Sequence, residues 1–293
     1  MISVILTSSQ EIHMINNCID HILPQLDNFD ELIIISPDEE MLDVVNKYKS
    51  KFKNIFLLKD KKEGKPTALN MGLKVAKGDI LILNDGDTYI KGDAIKFIEK
   101  HFDNKNCGAV SGHPVSIDRP DTIFGYWAQV LTEIAHNIRI KRSRNNNFFE
   151  CSGYLYAFRR GLVKIVTIGA LADDAAITHE VAKSGYTIEY EPNAIVYVKY
   201  PKNYKDWLSQ KVRSTGGYVQ QYVINSEYKM RGFLFEAITG AKTIFIYANS
   251  LKKLCWILLL LLARLHVWLL VFVKVIVMKL PLIKLWTSVR STK

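Results

Sequence analysis

Asp85 and Asp87 stand one glycine apart, directly after the apolar run Ile80-Leu81-Ile82-Leu83 and Asn84. Two carboxylates held that close repel each other unless a cation or a proton intervenes. Hard oxygen donors of this kind suit Mg2+ or Mn2+, with a substrate phosphate completing the shell. Asp-Gly is also a common turn dipeptide, so the pair alone fits a turn as well as a metal. A second acidic pair, Asp173-Asp174, could supply a general base or simply open a helix. Lys65, in the charged stretch Lys59 to Lys65, could neutralise phosphate or be solvated. Gln210 and Arg213 have i,i+3 spacing and could reach a ligand or form an ordinary polar helix face.

The elements around these residues place them. A short run that is wholly apolar reads as a strand buried on both faces. In an open α/β sheet the ligand crevice lies outside the carboxyl ends of such strands, where Asp85 and Asp87 fall. Before it, strands are expected at Ile2 to Leu6, Glu31 to Ile35 and Ile55 to Leu58. Helices are expected after Ser9, over Met41 to Tyr48 and from Pro66 to Ala76. This alternation argues a largely parallel sheet with helices on both faces. A helix near Ala94 to Phe102 and a short strand near Ala109 to Ser111 follow. Further on, the expectations are a helix over Asp121 to Ile140, a mobile polar stretch over Lys141 to Asn147, and a strand-like segment over Glu150 to Arg160. Then come a helix over Asp173 to Ser184, two short strands at Thr187 to Tyr190 and Ile195 to Val198, and a helix from Asn203 to about Tyr222. No glycine precedes Gly64, so neither a Rossmann fingerprint nor a Walker loop follows the first strand.

The net charge of +10 is unevenly placed. From Lys199 onward 16 Lys and Arg face 3 acids, whereas the preceding residues carry a small negative balance. The basic part is rich in Leu, Ile, Val and Trp, which points to an anionic membrane surface rather than nucleic acid. Leu254 to Val273 is apolar except for Arg264 and His266, and the runs on either side of Arg264 are each too short to span a bilayer. On a helical wheel Lys252, Lys253, Arg264, Lys274 and Lys279 share one half, which favours a helix lying among headgroups or a re-entrant pair. The four cysteines show no metal spacing and read as reduced thiols, mostly buried. No signal peptide is expected.

Five pieces stand in order: Thr7-Ser8-Ser9-Gln10-Glu11, Gly64-Lys65-Pro66-Thr67-Ala68-Leu69-Asn70, Asp85-Gly86-Asp87, Ala172-Asp173-Asp174 and Gln210-Lys211-Val212-Arg213. Together they resemble the family 2 glycosyltransferases of GT-A fold, above all the membrane-linked branch of cellulose, chitin and hyaluronan synthases. The resemblance covers roughly residues 1 to 217. It implies that Asp85 and Asp87 hold a divalent metal, Mg2+ or Mn2+, on the donor diphosphate. It implies that Asp174 is the catalytic base, with Asp173 where the family has glutamate. Thr7, Glu11, Asp38, Lys65, Asp85, Gln210 and Arg213 fall on the donor side. Ser152 and Gly153, within Cys151-Ser152-Gly153, fall with Asp173 on the acceptor side, a segment that runs on to Arg159-Arg160. Two departures stand out. The second strand ends Ser36-Pro37-Asp38 where the family carries aspartates that contact the base, which opens the question of the nucleotide. Ser214 replaces the tryptophan of the Q-x-x-R-W element, which implies one or a few transfers rather than processive synthesis.

The expected fold is thus α/β, a GT-A-type mostly parallel sheet flanked by helices, followed by a basic, apolar, membrane-associated helical segment. The expected division is a catalytic domain over 1–222 and a helical segment over 223–293. The expected function is an inverting, metal-dependent glycosyltransferase with its catalytic domain on the cytosolic face of a membrane. It would use a nucleotide-sugar donor, UDP-linked rather than GDP- or CMP-linked, and a lipid-linked or saccharide acceptor. The rival readings are a sugar nucleotidyltransferase, which the missing N-terminal glycines disfavour, and a non-catalytic membrane-bound scaffold.

Overall fold

The computed structural model describes residues 1–220, 223, 226–228, 240 and 243–280. Eight strands form one sheet: β1 (Ile2–Thr7), β2 (Glu31–Ser36), β3 (Ile55–Lys59), β4 (Ile80–Asp85), β5 (Tyr89–Ile90), β6 (Cys107–Ser116), β7 (Leu155–Arg159) and β8 (Thr187–Val198). The helices are α1 (Ile12–Ile22), α2 (Met41–Lys49), α3 (Lys65–Val75), α4 (Ala94–His101), α5 (Ile123–Arg144), α6 (Asp173–Lys183), α7 (Tyr204–Gly217) and α8 (Leu251–Val271). The strand order is β3-β2-β1-β4-β7-β6-β8-β5. β3, β2, β1 and β4 are parallel, β7 runs antiparallel to β4 and β6, and β8 is parallel to β6. The sheet is mixed and mostly parallel, as expected.

Strand composition follows from double-sided burial. Val4, Leu6, Leu32, Ile34, Ile80 and Ile82 pack on one face with α1, α2 and α4. Their neighbours Ile5, Ile33, Ile35, Leu81 and Leu83 pack on the other face with α3 and α6. A residue type that alternates sides of the sheet must therefore be apolar at every position. The register sets Thr7 beside both Ile35 and Asp85, so the carboxyl ends of β1, β2 and β4 meet at one edge. Chain order reverses across β1, with β2 on one side and β4 on the other, which opens a crevice there.

Several boundaries differ from the sequence reading. β6 is longer than the expected Ala109 to Ser111, and the two expected strands after α6 are one strand, β8. Tyr190 pairs with Ser111 and Ile195 with His113, so Glu191 to Ala194 bulge outward and carry Pro192 where it interrupts no ladder bond. α5 runs on to Arg144, through the first part of the stretch expected to be mobile. Lys141, Arg142 and Arg144 lie in its last turn, where cations suit the helix dipole. Arg142 also donates to the Phe148 carbonyl at 2.6 Å. α7 stops at Gly217, and the expected end near Tyr222 lies outside the described residues.

The apolar tail is a single unbroken helix rather than a re-entrant pair. Residues 251–275 are long and apolar enough to cross a membrane. At about 1.5 Å per residue they reach past the roughly 30 Å of a hydrocarbon core. Ile257, Leu260, Ala263, Val267 and Val271 are buried against α5 and α7, joined by Trp127 and Trp207. The Trp127 indole donates to the Trp256 carbonyl at 2.8 Å. These buried positions fall on the same half of the wheel as the basic residues. The opposite half, with Leu258, Leu262, Leu265 and Leu269, is exposed and apolar apart from His266, which bonds the Tyr204 hydroxyl.

The far edge of the sheet is tightly locked. The Ser3 hydroxyl donates to Glu31 at 2.6 Å and accepts from the Gly78 amide at 2.7 Å. A Cβ at Gly78 would sit 2.4 Å from the Ser3 backbone nitrogen. Gly78→Ala is therefore expected to lower the unfolding free energy by about 1–3 kcal/mol in a urea titration. An unchanged midpoint would show that β1 and the turn before β4 are not packed this closely.

Candidate active site

Asp85 ends β4, and Lys65 opens α3 behind Gly64, whose φ of 99° is readily open only to glycine. The Lys65 ammonium lies 2.7 Å from Asp85 Oδ1 and 3.4 Å from Asp173 Oδ2. The Tyr156 hydroxyl donates to the same Asp173 oxygen at 3.4 Å. Asp173 is the first residue of α6, so this one ammonium ties the end of β4 to the start of α6. Burial alone would push the Lys65 pKa down, but the charges of Asp173 and Asp85 override it and hold it up. Burial raises the Asp85 carboxyl above its usual range, against the opposing pull of Lys65.

Asp174 follows on the first turn of α6. The Ala175 amide donates to its Oδ1 at 2.9 Å, and neither acid makes a capping bond, since the cap residue is Ala172. The helix dipole alone would favour its ionised form. Burial outweighs that: with the charges of Asp173 and Glu150 it pushes the Asp174 carboxyl up to about 6, against Lys65 and the Ala175 amide. The segment Cys151-Ser152-Gly153 sits directly against it. The Cys151 amide donates to Thr178 Oγ1 at 3.2 Å, and that hydroxyl donates to the Asp174 carbonyl at 2.6 Å. A Cβ at Gly153 would lie 3.1 Å from Asp174 Oδ2, so glycine leaves the carboxylate room.

Lys65, Asp85, Ser152, Gly153, Asp173, Asp174, Gln210 and Arg213 all line one cavity of about 580 Å³. Gln210 Oε1 is buried there without a hydrogen-bond partner, an acceptor ready for a ligand donor. Four other expected site residues lie outside that lining. Thr7 ends β1 beside Asp85, and its carbonyl accepts from the Gly86 amide at 3.0 Å. Asp38 accepts from the Gln10 amide at 2.6 Å and so holds Gln10 at a φ of 60°. Glu11 accepts from the Ser8 hydroxyl at 3.4 Å. Asp87 lines a second hollow of about 160 Å³ with His13, Asn17 and Lys199.

The residues present fit a divalent cation in one specific way. Among the described residues no group of three or more His, Cys, Asp or Glu is assembled for a metal. Asp85 and Asp87, one glycine apart, are two carboxylates, the acid count at which Mg2+ relies on phosphate and water. Gly86 lets the turn between the two acids pack closely on the loop after β1, since a Cβ there would come within 2.8 Å of Ser8 Cβ.

Some site residues were missed in the sequence. Tyr154 lines the cavity and is buried, and its hydroxyl is pushed up first by burial and then by the charges of Asp87 and Asp85. Glu150 lines the cavity and faces the buried His179, 3.4 Å away. Asp60, directly after β3, lines neither hollow but keeps a buried carboxylate oxygen without a partner. Nothing in periodicity distinguishes these from core or turn positions; only the tertiary fold does.

The Asp174 shift has a thermodynamic sign. Its folded pKa of about 6 lies above the unfolded value. The native state therefore binds the extra proton, and stability is lost as pH rises from about 4 through about 6. Asp174→Asn should raise stability at pH 8 on the order of 2 kcal/mol and have little effect near pH 4. Denaturant midpoints at both pH values check this; equal differences at the two would place Asp174 in a solvated site.

Residues 3–166 match the family model described as glycosyl transferase family 2. The poly-beta-1,6-N-acetyl-D-glucosamine synthase of Staphylococcus aureus strain COL is 29% identical over 227 residues, covering 74% of this chain and 54% of that protein. The enzyme of the same name from Staphylococcus epidermidis is 27% identical over 194 residues, covering 64% of this chain and 47% of that protein. The chain thus spans about half the length of the curated relatives it matches. In structure it is similar to the mannosyltransferase PcManGT from Pyrobaculum calidifontis, solved with GDP-Man and Mn2+. That similarity has a TM-score of 0.62 and 20% identity, and covers 90% of this chain and 75% of the other. It is also similar to S. aureus TarS 1-349 in complex with UDP-GlcNAc, with a TM-score of 0.53 and 14% identity, over 87% and 78%. With a GT-A-type sheet whose crevice gathers Asp85 with the acid pair of α6, and a family match over more than half its length, the chain belongs to glycosyl transferase family 2.

Proposed function

We propose that this chain transfers a sugar from a nucleotide-sugar donor to an acceptor hydroxyl by direct displacement with inversion. The observation that carries the reading is the Lys65 bridge, which places a donor-side carboxylate, Asp85, and the acid pair of α6 around one cavity. The donor diphosphate lies at the carboxyl edge of β1 and β4. Asp85 and Asp87 would hold Mg2+ or Mn2+ there, and the cation would stabilise the charge that develops on the departing diphosphate. Lys65 and Arg213 add positive charge beside it. Asp174 takes the acceptor proton; with a pKa of about 6 it is mostly ionised at neutral pH yet basic enough to accept. Ser152 and Gly153 form the acceptor-side wall next to it. Thr7, Glu11 and Asp38 lie toward the nucleoside, where Asp38 also anchors the loop after β1.

A UDP-sugar is the favoured donor; among the structural neighbours TarS is solved in complex with UDP-GlcNAc. The exposed apolar half of α8 seats the protein on a membrane, and nucleotide-sugar supply sets the catalytic body on the cytosolic side. Residues 1–222 would be the catalytic part and 223–293 the membrane-seated part. The test is thermal stabilisation by UDP-, GDP- and CMP-sugars with and without Mn2+. A ligand at 100 times its Kd adds about 2.7 kcal/mol to the native state. We expect a Mn2+-dependent rise with UDP-sugars that Asp87→Ala abolishes. A rise that ignores both Mn2+ and this substitution removes the metal role, and no rise with any donor rejects the transferase reading.

A further inference from the structure

Helix α8 packs on the catalytic body along most of its length. Ile257 near its start and Val271 at its end are both buried, with Leu260, Ala263 and Val267 between them, in one cluster with Trp127 of α5 and Trp207 and Val212 of α7. From Ile257 to Val271 that seam runs about 21 Å at 1.5 Å per residue, so the body must accompany the helix wherever it goes. His266 stands three residues past the centre of the 251–275 stretch, about 4.5 Å along the axis. Its Nδ1 lies 2.8 Å from the hydroxyl of Tyr204, which opens α7. Asn203 and Lys205, on either side of Tyr204, are exposed. If α8 crossed a bilayer, that exposed ammonium would stand near the middle of the hydrocarbon, where a charge is costly.

The outward surface has the opposite character. Leu258, Leu262, Leu265, Leu269 and Phe272 form an apolar strip along the helix, each about half exposed or more. A continuous strip of this kind marks a contact surface. Exposed cations frame it: Lys252 at its start, Lys205 beside its middle and Lys279 beyond its end. No Asp or Glu follows Glu236 in the sequence. A second copy laid helix on helix would therefore bring cations against cations, whereas lipid phosphates meet the same frame with opposite charge.

We infer that α8 lies in the plane of one leaflet of an anionic membrane instead of crossing it. Its leucine strip enters the outer hydrocarbon, and Lys205, Lys252 and Lys279 lie among the lipid phosphates. This rests on the membrane seating proposed above and fixes its geometry and its lipid class. Both ends of α8 then lie at one depth, and the catalytic body rests against the headgroups.

The test uses the full chain with Cys255→Ser, which removes the exposed thiol and leaves the buried Cys18, Cys107 and Cys151. One cysteine is added at a time, as Leu258→Cys, Leu262→Cys, Leu269→Cys or Phe272→Cys, and labelled with an environment-sensitive fluorophore. Vesicles of phosphatidylcholine and phosphatidylglycerol carry nitroxide quenchers at shallow or deep acyl positions. All four probes should report one depth, about 5–10 Å below the headgroups. Lys205→Gln, Lys252→Gln and Lys279→Gln should each weaken binding to these vesicles about fivefold and leave binding to pure phosphatidylcholine unchanged. A probe at 262 near the bilayer centre, with the probe at 272 shallow, would show a crossing helix and overturn the inference. So would equal affinity for the two kinds of vesicle, or probes that ignore vesicles whether or not the chain self-associates. Far-UV circular dichroism shows that each variant is folded. Donor-induced thermal stabilisation on the same samples reports on the transferase reading separately, so either can fail alone.

Discussion

One ammonium group holds the catalytic end of this protein together. Lys65 stands between Asp85 and Asp173, with Asp174 beside them, in a space where Lys65 and Asp85 keep only about a fifth to a quarter of their side-chain exposure. Three carboxylates gathered with so little water would repel one another and take up protons. The lysine lowers that repulsion, opposing the upward shifts of both Asp85 and Asp174, as the roles proposed for them require. It also fixes geometry, because it joins the end of a central strand to the start of a helix far along the chain. Everything around it serves that placement: the positive φ at Gly64 that turns the chain into α3, the missing side chain at Gly153, and the double-sided burial that makes β4 rigid.

Much of this was legible in sequence because it depends on local pattern. The runs Ile80 to Leu83 and Leu32 to Ile35 could only be central strands, and an acid directly after such a run falls at the ligand edge. The order of the five motifs carried the family. What stayed hidden depends on tertiary context. The dipole at the start of α6 suggested a depressed Asp174, but dipole effects are about 1 kcal/mol and fade within a turn, whereas burial beside two further acids is larger. The bulge at Glu191 to Ala194 looked like a break because Pro192 interrupts the alternation, yet the ladder resumes beyond it. Tyr154 and Glu150 carry no spacing signal at all.

The tail shows how a correct composition can leave orientation open. The wheel separates basic from apolar halves, and the natural expectation is that the charged half faces water or headgroups. The structure turns that half toward the catalytic body. Lys253 lies over the Tyr126 ring and Arg264 lines the cavity, while the leucine-rich half faces outward. A helix whose charged side is its inner side completes the wall of the cavity with that face and leaves its apolar face outward.

The measurement that bears most directly on the central role of Lys65 is the pH dependence of donor hydrolysis at saturating nucleotide sugar, with water as acceptor, in wild type and Lys65→Met. The wild-type rate should climb with pH through a limb near 6, the pKa at which Asp174 becomes a base. Lys65 opposes the upward shift of that carboxyl, so its removal should move the limb to higher pH while the plateau can still be reached. A limb that stays where it was in Lys65→Met would contradict the account, because the lysine would then not govern the charge state of the acids it bridges.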